Sequence, residues 1–170
     1  NNDKGVMSIK VQLSMEEIRK AAGIGVARQV QNIERGRKPR YGAGKSNDWQ
    51  LHIEGCLAEY AVAKLFGVTD YDGKVGDLSP GDVGRLEVRS SAYFKAQLVV
   101  HPEDSEDSAF ILVRGNNGSY WIEGWMLGRD AKKKEYWKEI QNNGRPAYFV
   151  DYFELKDIKI LLEKVHEYVF

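Results

Sequence analysis

The sequence predicts one mixed α/β domain, with a central mixed sheet flanked by helices. Three observations carry this. A short alternating run at residues 8–13 leads straight into a helix signal. Four strand-like runs crowd residues 86–126, and helical patterning returns towards residue 169. The resulting order, β-α-α-β-β-β-β-α-β-α, is that of a mixed sheet with helices packed against it. At 170 residues the chain is a single domain, 1–170, long enough to bury a core. It divides into an N-terminal strand, helix and basic loop (1–47), a central part (48–126) and C-terminal helices (127–170).

Each element follows from local chemistry. Ile9, Val11 and Leu13 fall on one side of the first strand. Ser14 and Glu17 form a capping box that opens a helix from Met15 to about Arg35. Its apolar stripe is Met15, Ile18, Ala22, Val26, Val30 and Ile33. Gly23 and Gly25 either weaken this helix or let another backbone come close. Gly36 is its stop. After the loop RGRKPRYGAGKSN, Asp48 caps a second helix that runs to Phe66, with Gly67 ending it. Residues 67–81, rich in Gly and Asp, read as loop, with or without a short strand. LEVRSS (86–91) and QLVVH (97–101) suggest one hairpin. Residues 109–115 and 119–126 suggest another around Asn116-Asn117-Gly118, a strong turn signal. Residues 128–140 read as a short polar helix, 147–150 as a strand and 155–169 as a closing helix.

Composition narrows the class. Twenty-five basic and twenty-five acidic residues give a formal net charge of zero, so any nucleic-acid contact must come from a local basic patch. With Cys56 alone there is no internal disulfide, which fits a reducing, cytoplasmic setting. No run approaches the roughly 20 apolar residues that span a bilayer, and no membrane partner is expected. NNDKGVMSIK has no signal-peptide apolar stretch, and Met7 is a candidate start residue.

The carboxylates carry the chemistry. Glu59 stands mid-helix among Gly55, Cys56, Val62 and Ala63, none of which can pair with it at helical spacing. It is either a solvated glutamate or a buried one that requires a cation or metal. Asp82 precedes a tight glycine-containing turn. Glu87 and Arg89, two apart on a strand, share one face, while Leu86 and Val88 face a core. Such oxygens suit Mg²⁺, which takes one or two carboxylates plus waters and phosphate. The plain alternative is a Glu87–Arg89 surface ion pair worth about 0–1 kcal/mol.

A helix glutamate, an aspartate at a strand turn and Glu-x-Arg on a strand together resemble the PD-(D/E)XK nuclease superfamily, over roughly residues 48–126. The resemblance implies a restriction-endonuclease-like fold. It also implies Mg²⁺ (or Mn²⁺) held by Glu59, Asp82 and Glu87, and hydrolysis of DNA phosphodiesters. Arg89 stands where that family has lysine. Arginine can steady a phosphate but cannot serve as a base. The five-position step from Asp82 to Glu87 is short for the family, and Asp77 is a substitute for the aspartate. Lys95 is a candidate relocated amine.

A basic segment holds Arg28, Arg35, Arg37, Lys38, Arg40 and Lys45 against the single acid Glu34, with Tyr41 among its glycines. It suits phosphate contact and base stacking, or else is a solvated helix face and loop. Lys132, Lys133, Lys134 and Lys138 read as solubilising a helix. His52 lies two turns before Glu59 on nearly the same face and reads as a packing-edge histidine. His101, Asp104 and Asp107 read as a solvated connection, and Cys56 as helix packing. Three functions follow: a metal-dependent deoxyribonuclease, possible as a homodimer; an inactive nucleic-acid-binding module of the same fold; or a structural, protein-interaction domain.

Overall fold

The computed structural model describes residues 8–37, 47–75, 81–139 and 144–170. The chain runs β1 (Ile9–Gln12), α1 (Met15–Glu34), α2 (Asp48–Leu65), β2 (Leu86–Ser91), β3 (Gln97–Val100), β4 (Ala109–Asn116) and β5 (Ser119–Leu127). It continues through α3 (Gly128–Ala131), β6 (Trp137–Lys138), β7 (Ala147–Asp151), α4 (Ile158–Glu163) and α5 (Val165–Tyr168). The four-stranded sheet has the order β1-β5-β4-β2. Its β2–β4 pair is parallel and its other pairs antiparallel, so the sheet is mixed as expected. No helix among the described residues is long and apolar enough to cross a membrane.

Three layers result. The α1–α2 pair covers one face of the sheet, where Leu57, Ala61 and Val62 meet Leu86, Ile111, Val113 and Ile122. The other face is covered by a second, three-stranded sheet, β3-β7-β6, which replaces the helices expected there. Leu98, Val100 and Val150 pack against Phe110, Leu112 and Met126 in that layer.

The capping box at Ser14 and Glu17 is formed in both directions. Asn47, not Asp48, is the cap position of α2, and Asp48 is its first residue. The β4–β5 hairpin closes through Asn117 (φ 53°) and Gly118 (φ 92°), both left-handed, as a type I′ turn requires. The expected 86–91/97–101 hairpin does not form. Residues 92–96 carry the chain from one sheet to the other, and β3 pairs with β7 in place of β2. The cause is burial: both faces of β4 are apolar, so a second layer is needed over Phe110 and Leu112.

Two expected helices are also corrected. Where a helix over 128–140 was expected, the described residues 128–139 form only the four-residue α3, a 3₁₀ turn at Lys134–Tyr136 and β6. Trp137 packs edge-on to Tyr148, 4.9 Å between ring centres, and this contact draws the segment into the second sheet. The closing helix begins at the Asp157 cap and breaks at Lys164 into α4 and α5.

Helix α1 is turned differently from its apolar stripe. It buries Ala21, Gly25 and Gln29, while Met15 (67% exposed), Val26, Val30 and Ile33 (59%) face outwards. Small residues let the two helix backbones touch. A Cβ on Gly25 would stand 2.6 Å from Ile53 Cα, whereas one on Gly23 would meet nothing within 4 Å.

These two glycines therefore have opposite consequences. Gly25→Ala is expected to lower stability by about 1–3 kcal/mol through overpacking. Gly23→Ala is expected to raise it by about 0.5–1 kcal/mol through helix propensity. Thermal or urea unfolding of the two single variants distinguishes the effects by sign.

Candidate active site

Glu59 is buried, at 6% exposure, and its counter-ion comes from the other helix. Arg28 donates to both of its oxygens, Nη1 to Oε1 at 3.0 Å and Nη2 to Oε2 at 2.8 Å. The Tyr71 hydroxyl also donates to Oε2. Arg28 Nε donates to the Gly73 carbonyl at 2.8 Å, and Nη2 bonds the same oxygen. One guanidinium thus ties α1, α2 and the loop after α2 together. Burial opposes the charge on Arg28, yet the Glu59 carboxylate holds it above its ordinary value. Arginine keeps its proton throughout, so Glu59 is the member whose charge can change. Burial and the charge of Asp82 push Glu59 up to about 7, against its bonds from Arg28 and Tyr71. Burial and the Glu59 charge raise Tyr71, which stays a donor.

Asp82 and Glu87 are held by a reciprocal clamp. Asp82 Oδ2 accepts from the Val88 N–H at 2.7 Å, and Glu87 Oε1 accepts from the Gly81 N–H at 3.1 Å. Each carboxylate is anchored by the backbone beside the other. The turn between them is closed by Asp82 N–H to Leu86 O (2.7 Å) and Leu86 N–H to Val83 O (2.9 Å). Gly81 has φ +87°, and a Cβ there would lie 2.5 Å from the Gly84 carbonyl oxygen, so this position admits only glycine without strain. The C-terminal helix supports the turn through Arg85 N–H to Tyr168 O at 2.9 Å. Burial and the neighbouring Asp82 also raise Glu87, with Arg89 opposing. Asp82 is thus the electrostatic neighbour of both glutamates.

These three carboxylates do not meet as a metal cage. Among the described residues no group of three or more His, Cys, Asp and Glu side chains is gathered closely enough to hold a metal ion. The oxygens of Glu59 are engaged by Arg28 and Tyr71. Asp82 and Glu87 are the pair whose oxygen chemistry fits a hard divalent cation. A cleft of about 300 Å³ opens beside Asp82, lined also by Tyr71, Asp70, Asp72 and Lys74. Lys74 donates to the Gly84 carbonyl at 2.9 Å.

Arg89 lies beside Glu87, as the two-residue spacing predicts, with Nη1 to Oε2 at 3.6 Å. Its shorter bond, Nη2 to Asp104 Oδ2 at 3.0 Å, is to a residue that sequence spacing did not connect with it. Its guanidinium also stacks 5.0 Å from the Phe110 ring centre. Asp104 further accepts from the His101 N–H at 2.8 Å, so this loop is spent on Arg89 and on its own turn. Asp107 pairs with Arg129.

The basic segment needs correction. Arg28 is turned inwards to Glu59 and Gly73 and is not available to a nucleic acid. A lone buried carboxylate on α2 was the signal that could have predicted this. Arg35 and Arg37 are exposed at the end of α1. Lys38, Arg40, Tyr41, Lys45 and Asp77 lie outside the described residues. His52 Nε2 sits 3.0 Å from Asn32 Nδ2. Cys56 is buried, its thiol pushed up to about 11 by burial. Lys95 is exposed on the turn between β2 and β3 and does not line the cleft beside Asp82. Lys74 and Tyr71 line the cleft instead, and nothing in their loop-like stretch marked them.

Comparison with known proteins finds no matching family model, no matching curated protein and no matching solved structure.

The raised carboxylates have a pH signature. Glu59 loses its proton near the ordinary carboxylate value when unfolded but only near pH 7 when folded. Between those values the native state holds the extra proton, so this contribution to stability is present at low pH and lost as pH rises through about 7. Asp82→Asn removes the charge that pushes both glutamates up. Melting temperatures from pH 4.5 to 8 should therefore fall less with pH in the variant than in the parent. The parent–variant difference cancels groups elsewhere; an unchanged slope counts against the assigned coupling.

Proposed function

We propose that the domain hydrolyses phosphodiester bonds of DNA in a divalent-cation-dependent reaction centred on Asp82 and Glu87. The observation that carries this reading is the reciprocal clamp. Two carboxylates are fixed by backbone N–H groups on one turn, at the start of an edge strand, and Asp82 lines an open cleft. Like charges held together in this way repel, and a divalent cation relieves that repulsion. Asp82 and Glu87 would hold Mg²⁺ or Mn²⁺, with water and phosphate oxygens completing the shell. Bound there, the ion would act as a Lewis acid and lower the pKa of attacking water.

The protein's own groups have separate tasks. Glu59 orients Tyr71 and Arg28 and adds negative charge next to Asp82, a positioning role. Arg89, permanently charged, would steady the phosphate and cannot take a proton from water. The restriction-endonuclease-like resemblance in the sequence supports the same assignment. A second reading, a catalytically silent nucleic-acid-binding module, is favoured by one observation: Arg89 is already committed to Asp104 and the Phe110 ring.

Hydrolysis of labelled DNA with Mg²⁺ or Mn²⁺, and with chelator, tests the first reading. Asp82→Asn and Glu87→Gln are each expected to lower the rate at least about 100-fold, since they remove several kcal/mol of charge stabilisation. DNA binding should survive both changes. Salt-sensitive binding with no cleavage under any divalent ion would leave the binding module.

A further inference from the structure

A second cleft, of about 450 Å³, lies where the edge strands of the two sheets part. Strand β2 contributes Arg89 and Ser91, β3 contributes Gln97, the connecting turn contributes Tyr93 and Lys95, and β7 contributes Phe149. No acidic side chain lines it among the described residues. Its cations are Arg89, which is paired with Glu87 and Asp104, and the exposed Lys95, and Lys138 lies 5.7 Å from the Phe149 ring centre.

The turn itself is unusual for a surface. Tyr93 is 68% exposed and the adjacent Phe94 is 74% exposed. The turn is held by Tyr93 N–H to Ser91 Oγ at 3.0 Å and Ala96 N–H to Tyr93 O at 3.1 Å. Arg114 lies over the Phe94 ring, 5.1 Å from its centre, and is anchored on Glu123 at 2.7 Å. Among the described residues the Tyr93 ring stacks on no other side chain. A constrained, bare aromatic ring beside cations is the arrangement that stacks unpaired bases and neutralises phosphates.

We propose that this cleft binds single-stranded nucleic acid, with a base stacked on Tyr93 and a phosphate on Lys95. Arg89 belongs both to the cleft and to the neighbourhood of Glu87, and Ser91 lies about 13 Å along β2 from Glu87. The strand therefore leads towards the acidic pair. As a statement of substrate class this rests on the hydrolytic reading; as a binding site it stands alone. A duplex keeps its base faces stacked inside and offers nothing to Tyr93, so the preference is for an unpaired strand.

The test is fluorescence anisotropy of a labelled 12-nucleotide oligo-dT and of a hairpin duplex, in chelator, with the full chain. The oligo-dT should bind more tightly than the duplex. Tyr93→Ala should weaken it about 5- to 150-fold, the worth of one base–aromatic stack, and Tyr93→Phe should retain it. Lys95→Ala should reduce the salt slope by about 0.7, the value for one single-strand phosphate. Both side chains are exposed, so melting temperatures should not change. Equal binding of duplex and oligo-dT, or parental oligo-dT affinity in both alanine variants, overturns the cleft assignment, whatever the chain cleaves. Tight oligo-dT binding lost in Tyr93→Ala, but with no hydrolysis under Mg²⁺ or Mn²⁺, upholds the cleft and overturns the hydrolytic reading.

Discussion

The buried pair between Glu59 and Arg28 constrains everything around it. A carboxylate at 6% exposure must be matched by a cation, and α2 offers none at helical spacing. Arg28 on α1 supplies it, and that fixes how α1 is rotated about its axis. With Arg28 turned inwards, Ala21 and Gly25 meet α2 and the bulkier Val26, Val30 and Ile33 are left outside. The small-residue contact and the ion pair are two sides of one choice: the close approach at Gly25 brings the guanidinium within reach of Glu59. The same guanidinium bonds the Gly73 carbonyl, so the loop that brings Tyr71 to Glu59 is held by the same group.

From that anchor the charge balance runs outwards along the molecule. Glu59 is compensated by Arg28, yet Asp82 stands close enough to raise it and Glu87 as well. Backbone N–H groups satisfy Asp82 and Glu87 without neutralising them. Among the described residues Arg89 is the one cation paired with Glu87, and it divides itself between Glu87, Asp104 and a ring face. The result is a locus with more negative than positive charge, held rigidly by a glycine turn and supported by the C-terminal helix.

The edge position of β2 links this locus to the rest of the surface. Because the chain leaves β2 for a different sheet, the turn at 92–96 has no partner strand and displays Tyr93 and Phe94. Had β2 and β3 formed a hairpin, those rings would cap an ordinary turn, and the cleft between the sheets would not exist.

Much of this was legible from residue order. The capping box at Ser14–Glu17, the Asn117-Gly118 hairpin and the sharing of one β2 face by Glu87 and Arg89 are local, set by chemistry within a few residues. They appear as expected. So does the need of a buried Glu59 for a cation, because desolvation of a carboxylate is costly anywhere. Which cation, which face of α1 is buried, which strand accepts β3 and whether Arg89 turns to Asp104 depend on contacts between segments distant in sequence. Alternation and spacing are blind to such contacts. Helix periodicity identifies an apolar stripe but cannot know that a neighbouring backbone will come within touching distance of Gly25; only the packed chain decides that, because close approach and charge pairing are properties of two surfaces together.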